Sequence, residues 1–227
     1  MMQQQFRACA IFDMDGLLID SEPLWLDAQQ TQLRELYDLE LPDAELRAFQ
    51  GTSTVAFCSV MAERHSARGV DADRLLAAML QQMQSAIVRA PLMPGALALL
   101  QRLAQLDIPM AIASSSPLAF IEAVVQTHKL PVTVLASGLE VPRSKPHPAV
   151  FELAATRLGA REPGHCRVWE DSVNGVIAGR AAGMRVIAVP DQAHPQPDQF
   201  AIAHHVHASL HDSLDADGRV PVLYDAL

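Results

Sequence analysis

The sequence predicts an α/β protein: a doubly wound, parallel-sheet (Rossmann-like) core with a small all-helical cap inserted after the first strand. From residue 94 onward, short apolar segments alternate with segments whose apolar residues recur at helical spacing. Such alternation is typical of parallel strands joined by crossover helices. Between residues 20 and 91, apolar residues recur only at helical spacing. We therefore predict a core of residues 1–17 and 91–227 and a cap of residues 18–90.

The first predicted strand is the apolar run Ala8–Phe12, and Ser21 with Pro23 marks the start of the first helix. In the cap, helices are predicted over residues 22–38, 54–67 and 72–89. Pro91 and Pro94 end this helical region. The predicted core elements that follow are helices over 95–106, 117–128, 148–158 and 173–182, and strands at Ile108–Ala113, Val132–Ala136, Cys166–Trp169 and Met184–Val189.

The composition limits the possible partners. The chain has 227 residues, with 17 lysines and arginines against 26 aspartates and glutamates, so its formal net charge is −9. This balance argues against nucleic acid or an anionic membrane as a partner. No apolar run approaches the length of a membrane span, and residues 1–7 lack the apolar region of a secretory signal. The three cysteines show no CxxC spacing. We expect a cytoplasmic monomer.

Two carboxylates, Asp13 and Asp15, directly follow the first predicted strand, and Gly16 then breaks the pattern. Carboxylates this close repel each other unless a cation or a shared proton offsets their charge. The pair therefore suggests Mg²⁺ and covalent chemistry by a carboxylate. Taken alone, the motif is also compatible with a simple turn. A calcium loop is excluded because its fifth and twelfth positions would be Leu17 and Leu24, which are not ligands.

Polar side chains follow three later strands. Ser114, Ser115 and Ser116 come after the second strand, where hydroxyls and backbone N–H groups can hold a phosphate or simply cap a helix. Both alternatives stay open for Ser114, whereas Ser116, before a proline, is expected to be a cap. Lys145 lies in a proline-rich turn, suited to an oxyanion, although an isolated lysine is more often a surface residue.

The strand ending at Trp169 runs into Glu170 and Asp171, which can complete a Mg²⁺ site, or Asp171 can merely cap the next helix. The carboxyl ends of parallel strands lie at one edge of a sheet. The acids, the hydroxyls, the lysine and the second acidic pair are therefore expected to meet there, in one site.

These motifs resemble the haloacid dehalogenase superfamily of phosphohydrolases, and the resemblance covers nearly the whole chain. The matching segments are Asp13 to Pro23, Ser114 to Ser116, Ser144 to Pro148, and Glu170 to Gly179 with Ala182 to Met184. The helical insert is similar to the cap of the β-phosphoglucomutase and sugar-phosphatase branch. The segment Asp20 to Trp25 most resembles the hexitol and 2-deoxyglucose-6-phosphate phosphatases.

The resemblance implies a Mg²⁺-dependent phosphatase of small phosphate monoesters, with sugar or polyol phosphates as substrates. It implies that Asp13 attacks phosphorus to form an aspartyl-phosphate and that Asp15 acts as general acid and base. The implied metal ligands are the Asp13 carboxylate, the Asp15 backbone carbonyl and Asp171, while Glu170 joins through water or orients a neighbour.

Four further residues are assigned to substrate binding by the same resemblance. Ser114 and Lys145 would bind phosphoryl oxygens, with Ser115 nearby. Trp25 would line the substrate pocket, or else be an aromatic residue of the cap core.

Several relatives are less compatible with the sequence. β-Phosphoglucomutases carry Lys-Asn after the second motif, where this chain has Pro117 and Leu118. They also carry an arginine after the Gly-x-Ser of the cap, where this chain has Thr54. These differences favour a simple phosphatase. A mutase is kept as the first alternative, and a phosphoglycolate phosphatase as the second. A non-catalytic protein of this fold would be expected to lack a motif acid. A receiver module would be about half as long and without a cap.

Five histidines near the C-terminus are expected to be surface residues rather than a second metal site. They are His194, His204, His205, His207 and His211.

Overall fold

The computed structural model describes residues 8–191 and 197–224. Its centre is a parallel sheet of six strands in the order β3-β2-β1-β4-β5-β6. The strands are β1 (Cys9–Phe12), β2 (Met110–Ser114), β3 (Val134–Ser137), β4 (Cys166–Glu170), β5 (Arg185–Ala188) and β6 (His205–Val206). This is the doubly wound strand order, so the predicted Rossmann-like fold class is confirmed.

The chain changes direction across the sheet between β1 and β4, which are direct neighbours. Phe12 of β1 is in register with Ile112 of β2 and with Trp169 of β4. The rings of Phe12 and Trp169 stack with their centroids 4.8 Å apart. A crevice for ligands forms where the strand order reverses, at the carboxyl ends of the strands. The residues that follow β1 and β4 therefore lie side by side at this crevice.

The described residues also form eight α-helices. They are α1 (Glu22–Tyr37), α2 (Asp43–Arg47), α3 (Thr54–Arg64), α4 (Ala72–Ala86), α5 (Ala96–Gln105), α6 (Leu118–His128), α7 (Ala149–Leu158) and α8 (Val173–Ala181). Alternate residues of β1 face opposite sides of the sheet, as a strand requires. Ala10 and Phe12 pack with α5 and α6, whereas Cys9 and Ile11 pack with α7 and α8.

Helices α1 to α4 follow β1 and share an apolar cluster of their own, which includes Leu33, Phe57 and Met79. The two connections to the sheet run side by side, because Ile19 and Leu92 form an antiparallel bridge. We propose, on this ground, that residues 18–90 form a cap domain on a core of 1–17 and 91–227. No helix among the described residues has the length and apolarity that crossing a membrane requires.

Two elements were not predicted. Helix α2 has only five residues, too few to show a helical period. Strand β6 has only two residues and pairs with β5 through Ile187 and Ala188. In addition, the segments 66–68 and 87–89 are 3₁₀ turns rather than continuations of α3 and α4.

Three of the C-terminal histidines that were expected at the surface are only partly exposed. His204, His205 and His207 are partly buried, because β6 joins the sheet there. The His204 ring accepts a hydrogen bond from the Val186 backbone N–H at 2.9 Å. His211 is exposed as expected, and His194 lies outside the described residues.

Candidate active site

Polar residues from the ends of four strands converge at the crevice. Asp13 directly follows β1, Ser114 ends β2, and Glu170 ends β4 with Asp171 after it. Lys145 comes from the connection between β3 and α7. All of these side chains are buried or nearly so. The sequence-based expectation that they meet at one edge of the sheet is therefore matched by their positions.

Lys145 is enclosed by two carboxylates. Its Nζ lies 2.5 Å from Asp13 Oδ1 and 2.5 Å from Glu170 Oε1, and Lys145 is only 7% exposed. Burial lowers the pKa of Lys145, but the charges of Asp13 and Glu170 outweigh burial and raise the pKa above its ordinary value. The ammonium therefore stays charged, and it uses two of its three donors on these carboxylates.

Glu170 contacts both Lys145 and the residue that precedes α8. It is fully buried, with one carboxylate oxygen on Lys145 and the other accepting from the Ser172 backbone N–H at 2.9 Å and the Ser172 hydroxyl at 3.0 Å. Helix α8 approaches closely because Gly175 has no side chain, and a Cβ there would overlap the Glu170 carboxylate. Both predicted roles of Glu170 are compatible with its position, since its carboxylate contacts Lys145 and Ser172 and also lies among acids that could hold a metal ion.

Three buried carboxylates, those of Asp13, Glu170 and Asp171, place oxygen atoms within 4.8 Å of one another. Burial raises the pKa of Asp13 and of Asp171 well above the usual range, and neighbouring carboxylates add to the rise. Lys145 opposes this effect, but one ammonium cannot balance three acids. A hard divalent cation with oxygen ligands, such as Mg²⁺, fits this donor set and would lower both pKa values again.

Asp15 lies beside this cluster, and its carboxylate accepts four hydrogen bonds. Oδ1 accepts from the Ser21 hydroxyl at 2.7 Å and from the Trp25 indole N–H at 3.0 Å. Oδ2 accepts from the Ser114 hydroxyl at 3.1 Å and from the Ser116 hydroxyl at 2.8 Å. The donors on Oδ1 come from the start of the cap and those on Oδ2 from the end of β2, so both parts of the chain orient one carboxylate.

The backbone between the two aspartates and the cap needs a glycine. Gly16 has φ +80°, a left-handed conformation that favours glycine. A Cβ at this position would also overlap the carboxylate of Asp171. The absence of a side chain at Gly16 therefore lets the segment after β1 approach Asp171 closely.

Two predicted helix caps have other partners. Helix α6 begins after Pro117 with no side-chain cap, and the Ser116 hydroxyl, expected to be that cap, donates to Asp15 instead. Ser21 precedes α1 but its hydroxyl likewise contacts Asp15 and not the helix backbone. Sequence reasoning missed both contacts, since a serine before proline or glutamate is typical of a helix start.

The remaining predicted site residues border the same cavity. Ser115 places its hydroxyl 3.2 Å from the Ser144 hydroxyl and lines the cavity with Ser114 and Lys145. Trp25 lines the cavity and also packs against the apolar clusters of the core and the cap, so both of its predicted roles are compatible with its position.

The cap supplies the opposite wall of this cavity. The volume open to the centres of water-sized molecules is about 80 Å³. Glu22, which lies within the first motif segment, contributes to this wall, as do four residues that the sequence analysis did not single out: Gln29, Arg47, Phe49 and Gln50. Their positions depend on how four helices pack, so no local sequence signal marks them.

A second hydrogen bond joins the cap wall to the core, in addition to the one from Trp25 to Asp15. The Asn174 side-chain amide of α8 donates to the Gly51 backbone carbonyl at 3.1 Å. Gly51 lies against Ser172, and a Cβ on Gly51 would overlap the Ser172 side chain. The cap loop therefore rests directly on the beginning of α8, beside Asp171.

Comparison with known proteins agrees with this architecture. Residues 8–183 match the model of the haloacid dehalogenase-like hydrolase family. Hexitol phosphatase B of Escherichia coli (strain K12) is 35% identical over 202 residues, which cover 86% of this chain and 88% of that protein. (DL)-glycerol-3-phosphatase 2 of Arabidopsis thaliana is 30% identical over 190 residues, covering 80% and 78% respectively.

The fold recurs in a solved structure. The crystal structure of CbbY from Rhodobacter sphaeroides in complex with phosphate superimposes with a TM-score of 0.79 at 23% identity, covering 93% of this chain and 98% of that chain. With the fold, the strand-end acids and the family match in agreement, the chain belongs to the haloacid dehalogenase-like hydrolase family, and it is a phosphoric monoester hydrolase.

Proposed function

We propose that this protein is a Mg²⁺-dependent phosphatase that hydrolyses sugar or polyol phosphates through an aspartyl-phosphate on Asp13. The observation that carries the proposal is the arrangement around Asp13. Asp13 is 6% exposed, and its carboxylate lies 2.5 Å from the Lys145 ammonium and borders the cavity next to Asp15. A nucleophile, a cation for phosphoryl oxygens and a proton-transfer group thus border one cavity.

In the first step, an Asp13 carboxylate oxygen attacks phosphorus, and the bond between phosphorus and the ester oxygen breaks. The leaving alkoxide takes a proton from Asp15. In the second step, water attacks the phosphorus of the aspartyl-phosphate while Asp15 takes the proton of that water. Inorganic phosphate is released and the Asp13 carboxylate is restored.

The hydrogen bonds of Asp15 suit both protonation states. The serine hydroxyls can turn from donors into acceptors, whereas the Trp25 indole N–H can only donate. Oδ1, which Trp25 contacts, therefore stays an acceptor, and the transferable proton belongs on Oδ2 beside Ser114 and Ser116. Trp25 in this way selects which oxygen of Asp15 carries the proton.

Phosphoryl oxygens would be bound by Lys145, Ser114 and Ser115. Lys145 has one N–H left after its bonds to Asp13 and Glu170. Asp13, Asp171 and the Asp15 backbone carbonyl would hold Mg²⁺. When bound, Mg²⁺ neutralises negative charge on the phosphoryl group and on the surrounding carboxylates.

Two relatives support the substrate class. They are named hexitol phosphatase B and (DL)-glycerol-3-phosphatase 2, and both names describe phosphate esters of polyols. The first alternative, a β-phosphoglucomutase-like phosphotransferase, would have to hold a second phosphate. The positions where mutases carry the cap arginine and Lys-Asn are occupied by Thr54, Pro117 and Leu118.

The test is phosphate release from sugar, polyol and short-acid phosphates with Mg²⁺, with isomerisation of β-glucose 1-phosphate followed in parallel. We expect release from hexose or hexitol phosphates, its loss in EDTA and its recovery with added Mg²⁺. Isomerisation without release would show a mutase instead. Full activity after exhaustive chelation would overturn the metal assignment.

A further inference from the structure

The cap wall of the cavity carries polar groups that the proposed phosphoryl chemistry does not use. Glu22 and Gln29 come from α1, Arg47 from α2, and Gln50 from the loop after α2. Glu22, Gln29 and Gln50 are partly buried, and Arg47 lies at the exposed rim. Their place is opposite the phosphoryl site, where the leaving group of a substrate would lie.

The side chains of these residues have unused hydrogen-bonding capacity. Within the described part of the chain, the amides of Gln29 and Gln50 have no hydrogen-bond partner in the protein. By contrast, Gln30 and Gln32, which do not line the cavity, donate to Asp43 and Gln82. Amides that border a cavity without a partner are suited to bind a polar ligand.

Glu22 and Arg47 carry opposite charges but do not form an ion pair with each other among the described residues. Burial raises the pKa of Glu22 to about 7, and the negative charges of Asp15, Asp191 and Asp20 add to the rise. Arg47 is close enough to oppose it. In either protonation state, a carboxyl and a guanidinium that line one cavity offer hydrogen bonds to a hydroxyl group placed between them.

Aromatic side chains border the same space. Trp25, Phe49 and Phe57 line the cavity together with Leu26 and Leu46. Flat apolar surfaces next to a few polar groups are typical of sites that bind both the C–H faces and the hydroxyls of a carbohydrate-like molecule.

We propose that Glu22 and Arg47, assisted by Gln29 and Gln50, bind the hydroxyl groups of an uncharged, polyhydroxylated leaving group and thereby determine substrate specificity. This inference rests on the proposed function, because it concerns the part of the substrate that leaves with its oxygen.

The charges of the cavity disfavour an anionic leaving group. Asp13, Asp15, Glu22 and Asp171 line the cavity, and Lys145 and Arg47 are the cationic residues among its described lining. Lys145 is already held by two carboxylates. A carboxylate or a second phosphate on the substrate would lie near Glu22 and Asp15 with only Arg47 to attract it. Phosphoglycolate and sugar bisphosphates are therefore expected to be poor substrates.

The experiment compares kcat/KM for a hexitol 6-phosphate, glycerol 3-phosphate, phosphoglycolate and p-nitrophenyl phosphate in the wild type and in Glu22→Ala and Arg47→Ala. Each variant loses hydrogen bonds to a charged group. We therefore expect its kcat/KM for the hexitol phosphate to fall about tenfold or more relative to its kcat/KM for p-nitrophenyl phosphate. Glycerol 3-phosphate, with fewer hydroxyls, should lose less.

Arg34→Ala is the matched control, since Arg34 is an exposed cap arginine on α1 that does not line the cavity. This variant should leave unchanged the ratio of kcat/KM for the hexitol phosphate to kcat/KM for p-nitrophenyl phosphate. If Glu22→Ala fails to fold, as judged by circular dichroism, Arg47→Ala, at the exposed rim, still tests the proposal.

An unchanged ratio in Arg47→Ala, or a wild-type preference for phosphoglycolate, would overturn the specificity assignment while leaving phosphatase activity intact. Absence of phosphate release from every ester, p-nitrophenyl phosphate included, would instead overturn the proposed function.

Discussion

Trp25 and Asp15 are joined by a hydrogen bond of 3.0 Å that runs from helix α1 of the cap to the loop after β1. The indole N–H contacts Oδ1, whereas the hydroxyls of Ser114 and Ser116 contact Oδ2 from the end of β2. The proposed acid and base of the reaction is thus oriented partly by a residue of the cap. The proposed substrate binding by the cap and the proposed proton transfer in the core would share this contact.

The Trp25→Phe variant keeps an aromatic ring but loses the donor to Asp15. We expect kcat to fall about tenfold for a hexitol phosphate, because the alkoxide leaving group needs a correctly placed proton. The reduction should be smaller for p-nitrophenyl phosphate, whose leaving group is stable without a proton. Equal losses with both substrates would show that Trp25 acts by packing and not by positioning Asp15.

The Asp13→Asn variant removes the proposed nucleophile while keeping its shape. We expect phosphate release to fall by at least about a thousandfold, because the amide cannot form the aspartyl-phosphate. Thermal unfolding should show that the fold is retained. Asp73→Asn, at an exposed position of α4, is the control and should keep full activity. Substantial turnover by Asp13→Asn would remove Asp13 as nucleophile.

The chain has only two lysines, which provides a matched pair of variants. Lys145→Met removes the buried ammonium between Asp13 and Glu170, and Lys129→Met changes an exposed residue at the end of α6. Breaking a buried ion pair leaves carboxylates without a partner, so Lys145→Met should lose about 3 kcal/mol of stability. Its kcat/KM should fall about a hundredfold or more.

Denaturant unfolding and steady-state kinetics measure the two lysine effects separately. Lys129→Met should match the wild type in both. A Lys145→Met protein with unchanged kcat/KM would show that Lys145 is only structural.

The pKa of Glu22 predicts a pH dependence of stability. Burial raises this pKa from 4.5 to about 7 in the folded protein. The folded state therefore holds the proton more tightly than the unfolded chain. The stability that Glu22 contributes is present below its unfolded pKa and is lost as pH rises through about 7.

Glu22→Gln has no carboxyl group to ionise, so it should avoid this loss. In EDTA, we expect its Tm to be close to that of the wild type at pH 5 and about 5 °C higher at pH 8. Thermal unfolding monitored by circular dichroism measures the difference at both pH values. A difference that does not grow between them would contradict the raised pKa.

The contact between Asn174 and Gly51 predicts a role for α8 in holding the cap loop. Asn174→Ala removes the hydrogen bond to the Gly51 carbonyl, which joins the cap wall to the core. We expect KM for polyol phosphates to rise about threefold to tenfold with a smaller change in kcat, since the lost bond is worth about 1 kcal/mol. A variant with unchanged KM would show that the loop is held by packing alone.

The sequence by itself determined the alternation of strands and helices and the order of the polar residues along it. Short apolar runs and their turn residues are local features, so the strands β1 to β5 were predicted within a few residues. The parallel topology then places Asp13, Ser114, Glu170 and Asp171 at one edge, since each directly follows or ends a strand. The family resemblance rests on these same local motifs, and the family match agrees with it.

Only the tertiary structure decided which donors each carboxylate accepts and what forms the cap wall. Ser21 and Ser116 looked like helix caps because their sequence neighbours are typical of helix starts, yet both turn to Asp15 once the cap packs on the core. Arg47 reaches the cavity through packing of a five-residue helix that shows no period. Contacts between residues far apart in the chain depend on helix packing, and helix packing has no local signature in sequence.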